Sequence, residues 1–172
     1  MPGPRILILG TSGSGKTTTA QLAAARLGMR AIELDSIRHQ PNWQEMPDEQ
    51  FREVVAGHAA AARWVIDGNY IATRAMLMER ATQIVWVSPP KHVVMAQVVR
   101  RSLVRAITQQ ELWNGNREQW HFMLRGDHPI RWAWSTYDRR ERDFLRAMNE
   151  KWVRLRNRHD VARWLETLGR ER

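Results

Sequence analysis

The chain has no cysteine, only three lysines and no apolar run of 18 residues. Each absence removes a class of protein. Without cysteine there is no disulfide framework, no thiolate zinc site and no cysteine nucleophile, which leads one to expect a cytoplasmic protein. Without a long apolar run there is no membrane-spanning helix, and no membrane partner is expected. The opening "MPGPRILILG" enters an apolar strand pattern almost at once, so no signal peptide is expected.

What remains is the composition of one globular domain over residues 1–172, with 43% hydrophobic and 26% charged residues. The formal charge is +9 and the pI about 11.2. Such a surface suits polyphosphate ligands and also nucleic acid, although an arginine-rich set of solvated helices would give the same figure. With so few lysines, the placement of Lys16 in a glycine-rich turn carries weight.

Five short apolar runs read as strands: 5–10, 30–34, 64–68, 83–90 and 151–156. Between and after them lie patterns of helical period at 16–27, 47–63, 71–80, 91–106, 138–149 and 160–169, the last with Asp160 as N-cap. The alternation predicts a five-stranded parallel sheet covered by helices on both faces, a three-layer α/β architecture. Two polar stretches break the rhythm. Residues 36–63 are expected to bind an acceptor, and their first part, 36–50, is polar, holds two prolines and separates the second strand from its helix. Residues 107–137, rich in Trp, Arg and His, are expected to form a helical lid, with Trp113, Trp120, Trp132 and Trp134 as its small core.

The turn after the first strand reads Gly10-Thr11-Ser12-Gly13-Ser14-Gly15-Lys16-Thr17-Thr18. Its glycines let backbone N–H groups curl inward around an anion, and the helix that follows presents the positive end of its dipole. Lysine at this spacing reaches the β- and γ-phosphates of a nucleoside triphosphate, and the Thr17 hydroxyl suits Mg²⁺. The turn has a strand before it and a helix after it, the context a P-loop requires. ATP and Mg²⁺ are therefore the expected ligands. Asp67, ending the apolar run "WVID", is the expected second metal-side residue. A strand-ending Asp also forms turns.

Beyond the donor grip, "ELDSIRH" after the second strand resembles the "GDMLR" element of adenylate kinase and its relatives, with the same Asp35-to-Arg38 spacing. "VIDGNYIATR" resembles their "LLDGFPRT", aligning Asp67 and Gly68. The resemblance implies that Arg38 grips an acceptor phosphate. Arg74 lies seven residues past Asp67 instead of four and departs from the pattern. Over nearly its full length the chain resembles bacterial P-loop kinases of the adenylate-kinase-like or DNA-topology-modulation type, through "LD", "WVIDGNY" and the "GNRE" at Gly115–Glu118. Shikimate and gluconate kinases share the general layout. The resemblance implies donor contacts from Arg101 and Arg105 and from the loop at Asn157. It also implies an arginine reaching the transferring phosphoryl group, for which Arg117 is the first choice and Arg139 or Arg140 the alternatives.

The acceptor stays open between two chemistries. A nucleoside monophosphate needs positioning and charge neutralisation, the task for Arg38. A hydroxyl gains from a carboxylate that takes its proton, the task for Asp35. Trp43, Gly68, Asn69 and Arg74 complete the expected acceptor side. The resulting reading is an ATP-dependent phosphotransferase acting on a small molecule, as a monomer or homodimer. The alternative is an ATP-binding regulatory protein associated with nucleic acid, ranked lower because no helix-turn-helix or zinc-ligand pattern is present.

Overall fold

The structure, a computed structural model, describes residues 3–109, 111–117 and 129–168, apart from the side chains of Ala106, Pro129 and Trp132. Its centre is the expected five-stranded sheet. The strands are β1 (Arg5–Gly10), β2 (Ala31–Glu33), β3 (Trp64–Asp67), β4 (Gln83–Val87) and β5 (Trp152–Leu155). They run parallel in the order β2-β3-β1-β4-β5. The helices are α1 (Lys16–Arg26), α2 (Leu34–Arg38), α3 (Asp48–Ala59), α4 (Ile71–Arg80), α5 (Lys91–Thr108), α6 (Pro129–Ala147) and α7 (Arg158–Thr167).

Side-chain alternation along β1 divides the core. Leu7 and Leu9 face one way, joining Phe51 and Val55 of α3, Leu77 of α4 and Phe144 of α6. Ile6 and Ile8 face the other way, against Ala20, Ala23 and Ala24 of α1 and Trp164 of α7. Alanines on the buried stripe of α1 let its backbone lie close to the sheet. Each fully buried Leu, Ile or Phe contributes about 1.5–3 kcal/mol of transfer free energy. This two-sided burial explains why the strands read as continuous apolar runs. It also fixes the carboxyl ends of β1 and β3 side by side, with Ile8 opposite Asp67.

Three elements depart from the expectation. The second strand stops at Glu33, and Leu34–Arg38 wind into α2, with Ser36 Oγ donating to the Glu33 carbonyl at 2.7 Å. Asp35 thus sits in the first turn of a helix instead of at a strand end. Helix α6 begins at 129, not 138, because Ala133 and Tyr137 extend its apolar stripe onto Val94 and Val98 of α5. The N-cap of α7 is Asn157, not Asp160: Asn157 Oδ1 accepts the Asp160 N–H at 2.9 Å, while Asp160 Oδ2 accepts the Arg156 N–H at 2.9 Å.

Candidate functional site

Residues 10–15 leave the end of β1 and turn directly into α1. Gly13 and Gly15 hold φ of +81° and +93°, a region that disfavours any side chain. A Cβ on Gly13 would also stand 2.2 Å from Val98 Cγ2, so the turn is pressed against α5. The N-terminus of α1 has neither a side-chain cap nor an acidic residue in its first turn. The first N–H groups of a helix have no intrahelical acceptor. They face a cleft of about 2760 Å³, larger than the few hundred to 1,000 Å³ typical of a single small-ligand pocket. There is room for two ligands.

Beside the turn, Lys16 Nζ lies 3.1 Å from Asp67 Oδ1, and Thr17 Oγ1 donates to Asp67 Oδ2 at 2.5 Å. Asp67 is only 3% exposed. Burial raises its carboxyl pKa above the ordinary range, and the pull of Lys16 and Thr17 does not reverse this. A raised folded-state pKa means this group's stabilising contribution is full below the ordinary carboxylate pKa and falls as pH rises through the folded value. Asp67→Asn is therefore expected to stabilise the ligand-free protein at neutral pH. About 1 kcal/mol corresponds to roughly 2–4 °C in a chain of this size. The gain should shrink toward zero as the pH falls, which thermal denaturation at several pH values would measure.

Across the cleft, α2 places Asp35 near Asp67. The Tyr70 hydroxyl donates to Asp35 Oδ1 at 2.7 Å and lies 3.5 Å from His39 Nε2. The Tyr70 ring packs edge-on against core Phe51 at 5.0 Å, so the α3 core fixes the group that orients Asp35. Burial, then the Asp35 charge, push the Tyr70 phenol well above its ordinary pKa, and it stays a donor. Tyr70 was not among the expected site residues, although it follows Asn69 in the "DGNY" already singled out. Gly68 is buried against Leu34, and the Asn69 side chain lines the cleft with its Oδ1 buried and without a partner among the described residues.

Arg38 is committed within the protein. Its guanidinium pairs with Glu45 and Asp48, both at 2.6 Å, and lies over the rings of Phe51 and Tyr70 at 5.4 and 6.0 Å. Only 14% of its side chain is exposed. Trp43 lines the cleft in a left-handed conformation, φ +57°. Asn116 supports it by accepting the Trp43 N–H at 2.8 Å and donating to the Gln40 and Trp113 carbonyls. The Trp43 indole donates to the Arg117 carbonyl. Trp113 donates to Glu33 and stacks on His39, and Asn114 donates to the Ser36 and His39 carbonyls. Loops 39–45 and 111–117 are thus stitched together along the part of the cleft lined by Asp35, His39 and Trp43.

Asn116 is 3% exposed and makes three of these bonds. Asn116→Ala leaves them unmet at about 1–3 kcal/mol for a buried group. Amide exchange at Trp43 is expected to accelerate tenfold or more, while exchange in β1 and β3 stays unchanged.

The expected arginines divide. Arg101 Nη2 donates to Ser12 Oγ at 2.8 Å, and Arg105 also lines the cleft beside the turn. Arg117 is exposed and lies 3.6 Å from Glu111, away from the cleft lining. Arg139 is exposed, whereas Arg140 lines the cleft. Burial, with Arg139 and Arg74 nearby, lowers the Arg140 pKa, so an anion in the cleft would relieve that charge. Arg74 stands on α4, near enough for its charge to be felt at Arg140, and is not among the residues lining the cleft. Asn157 lines the donor end but spends its side chain capping α7. Trp113 binds the acceptor segment instead of a lid core, and Trp134 is exposed with Lys91 Nζ 4.2 Å from its ring centroid. Glu118, Trp120 and the Trp132 side chain lie outside the described residues. Among the described residues no helix is long and apolar enough to cross a membrane.

No family model matches the chain, and no curated protein matches it in sequence. Solved structures share its fold. A shikimate kinase from Acinetobacter baumannii in complex with shikimate matches with a TM-score of 0.62 at 15% identity, over 98% of this chain and 90% of that one. A shikimate kinase from Bacteroides thetaiotaomicron gives 0.55 at 14% identity, over 96% and 95%. A gluconokinase from Sinorhizobium meliloti 1021 gives 0.51 at 16% identity, over 97% and 95%. At such identities the likeness is one of fold, that of P-loop kinases of small molecules.

Proposed function

We propose that the protein is an ATP-dependent phosphotransferase that phosphorylates a hydroxyl group of a small molecule. One observation carries the reading: Asp35 and the phosphate turn line one continuous cleft, with Asp35 close enough for its charge to be felt at Asp67. Tyr70 holds one oxygen of the Asp35 carboxylate, and no described residue bonds the other. A nucleoside monophosphate would have no use for such a base.

The residues fit Mg·ATP. The α1 N-terminus is uncapped, and Ser14 Oγ is buried without a partner among the described residues. Gly10 through Thr18 would hold the phosphates, Lys16 the terminal ones, and Thr17 with Asp67 the Mg²⁺. Arg101 and Arg105 would flank the donor, with Asn157 at its base end. When bound, Mg·ATP supplies the phosphoryl group and leaves as ADP.

The chain's own residues do the rest. Asp35 accepts the proton of the acceptor hydroxyl as that oxygen bonds to phosphorus. Lys16 and Arg140 neutralise charge on the transferring group, and Arg140, one of the two expected alternatives, takes the place given first to Arg117. Asn69 and Trp43 position the acceptor. Loop 111–117, docked on 39–45, keeps water from this end of the cleft, which a kinase needs in order not to hydrolyse its donor. This reading keeps the donor grip of the adenylate-kinase-like or topology-modulation resemblance and departs from the acceptor-phosphate role it implies for Arg38, and the shikimate kinase neighbours add a precedent of fold. A coupled assay of ADP release against a panel of hydroxyl compounds and nucleotides tests it. Release that rises with at least one hydroxyl compound is expected, and release stimulated only by nucleoside monophosphates would overturn it.

A further inference from the structure

The cleft is not uniform in charge. Its donor half carries Lys16, Arg100, Arg101, Arg105, Arg156 and Arg158 against the single acid Asp160, and Arg140 of α6 lines the cleft as well. Its acceptor half carries Glu33, Asp35, Glu45, Asp48 and Glu111. The arginine lining that half, Arg38, is the residue an anionic acceptor would need. It is held from two sides by Glu45 and Asp48, packed over Phe51 and Tyr70, and mostly covered. An incoming carboxylate or phosphate would have to displace two charge-assisted hydrogen bonds and approach through their carboxylates. The remaining walls are Trp43, Trp113, His39 and Tyr70, rings that pack on the C–H face of a polyol and attract a cation.

From this sign reversal within one cleft, we infer that the acceptor is a hydroxyl compound carrying no anionic group, either neutral or bearing an ammonium. The inference rests on the kinase reading and narrows it. The donor half concentrates the positive charge where polyphosphate binds. The acceptor half keeps polyphosphates and other anions out, so ATP enters in one orientation and anionic metabolites are rejected at Arg38's carboxylate guard. Specificity here comes from repulsion as much as from contact. Arg38 is then a positioning residue: it ties α2 to the start of α3 and supports the Asp35–Tyr70 pair.

The test uses the full chain with Mg²⁺ and a non-hydrolysable ATP analogue for binding, and Mg·ATP for turnover. The probes are three scaffolds, a pyranose, a cyclohexane polyol and a linear polyol, each in neutral, amine and carboxylate form. Neutral or amine members of at least one scaffold are expected to bind tenfold or more tightly than the carboxylate member. A carboxylate member binding best, or no scaffold binding at all, overturns the inference. The kinase reading fails separately: binding in the expected charge order without ADP release would sink that reading and leave the charge preference standing.

Two variants examine Arg38 directly. Glu45→Gln with Asp48→Asn releases the guanidinium and should narrow the preference against carboxylates at least tenfold. Arg38→Met should weaken all acceptors alike. Selective loss of carboxylate binding in Arg38→Met would show the arginine gripping an anion and would overturn the inference, even if the double variant fails to fold.

Discussion

Lys16→Ala lowers kcat by about 10³-fold or more, while circular dichroism of the ligand-free protein stays that of the wild type. Removing one preorganised donor from a developing anion typically costs 10²–10³ in rate, roughly 2.7–4 kcal/mol. Lys16 also balances the buried Asp67, at 3.1 Å, so its loss acts twice. Asp67 is left without its cation and takes up a proton more readily, weakening any Mg²⁺ held with Thr17. The apparent affinity for Mg²⁺ should therefore fall together with kcat. Lys16→Arg separates the effects: it retains the charge beside Asp67 but not a compact ammonium, and should restore metal dependence better than turnover. Steady-state kinetics with Mg²⁺ titration measures both. Unchanged kcat in Lys16→Ala would remove the phosphate turn from the chemistry.

Asp35→Asn is the second large effect, a fall of about 10²–10⁴ in kcat, the range supplied by general base catalysis. The variant keeps an oxygen to accept the Tyr70 hydroxyl, so α2 and the 39–45 loop should hold their places. KM for ATP should change little, because Asp35 stands across the cleft from the donor grip. A change below tenfold would mean that the acceptor oxygen is already ionised, as in a phosphate, and would favour the nucleotide acceptor.

The sequence made some of this legible and hid the rest for identifiable reasons. The sheet was readable because both of its faces are buried, which leaves unbroken apolar runs in β1, β3 and β4. The phosphate turn was readable because its chemistry is local: three glycines, a lysine and a threonine within eight residues. Asp67 was readable as the acid ending a strand. The acceptor end was less so, because its contacts join distant residues. Asn116 meets Trp43 across 73 positions, and nothing in "GNRE" announces that its asparagine serves the loop at 39–45. Arg38 looked available because its partners, Glu45 beyond Pro41 and Asp48 beyond Pro47, are brought back to it by a turn that was not predictable in detail.

The choice between Arg139 and Arg140, which the sequence left open, depends on where α6 begins. With α6 begun at 138, the phase of the helix is too short to distinguish Arg139 from Arg140. Extended back to 129, the residues Ala133, Tyr137, Arg140 and Phe144 fall on one stripe at helical spacing, and the arginine facing the cleft is Arg140. That stripe was present in the sequence. The tryptophans nearby, at 132 and 134, drew the stretch toward a lid instead of a helix continuous with the core.

The central claim is transfer, not mere binding or hydrolysis, and following the label of [γ-³²P]ATP tests it most directly. Wild-type protein with Mg²⁺ and the best hydroxyl acceptor from the panel should place the label on the acceptor in step with ADP formation. Little should appear as inorganic phosphate, and Lys16→Ala should give the blank. Label that appears only as inorganic phosphate, at a rate no acceptor alters, would contradict the account.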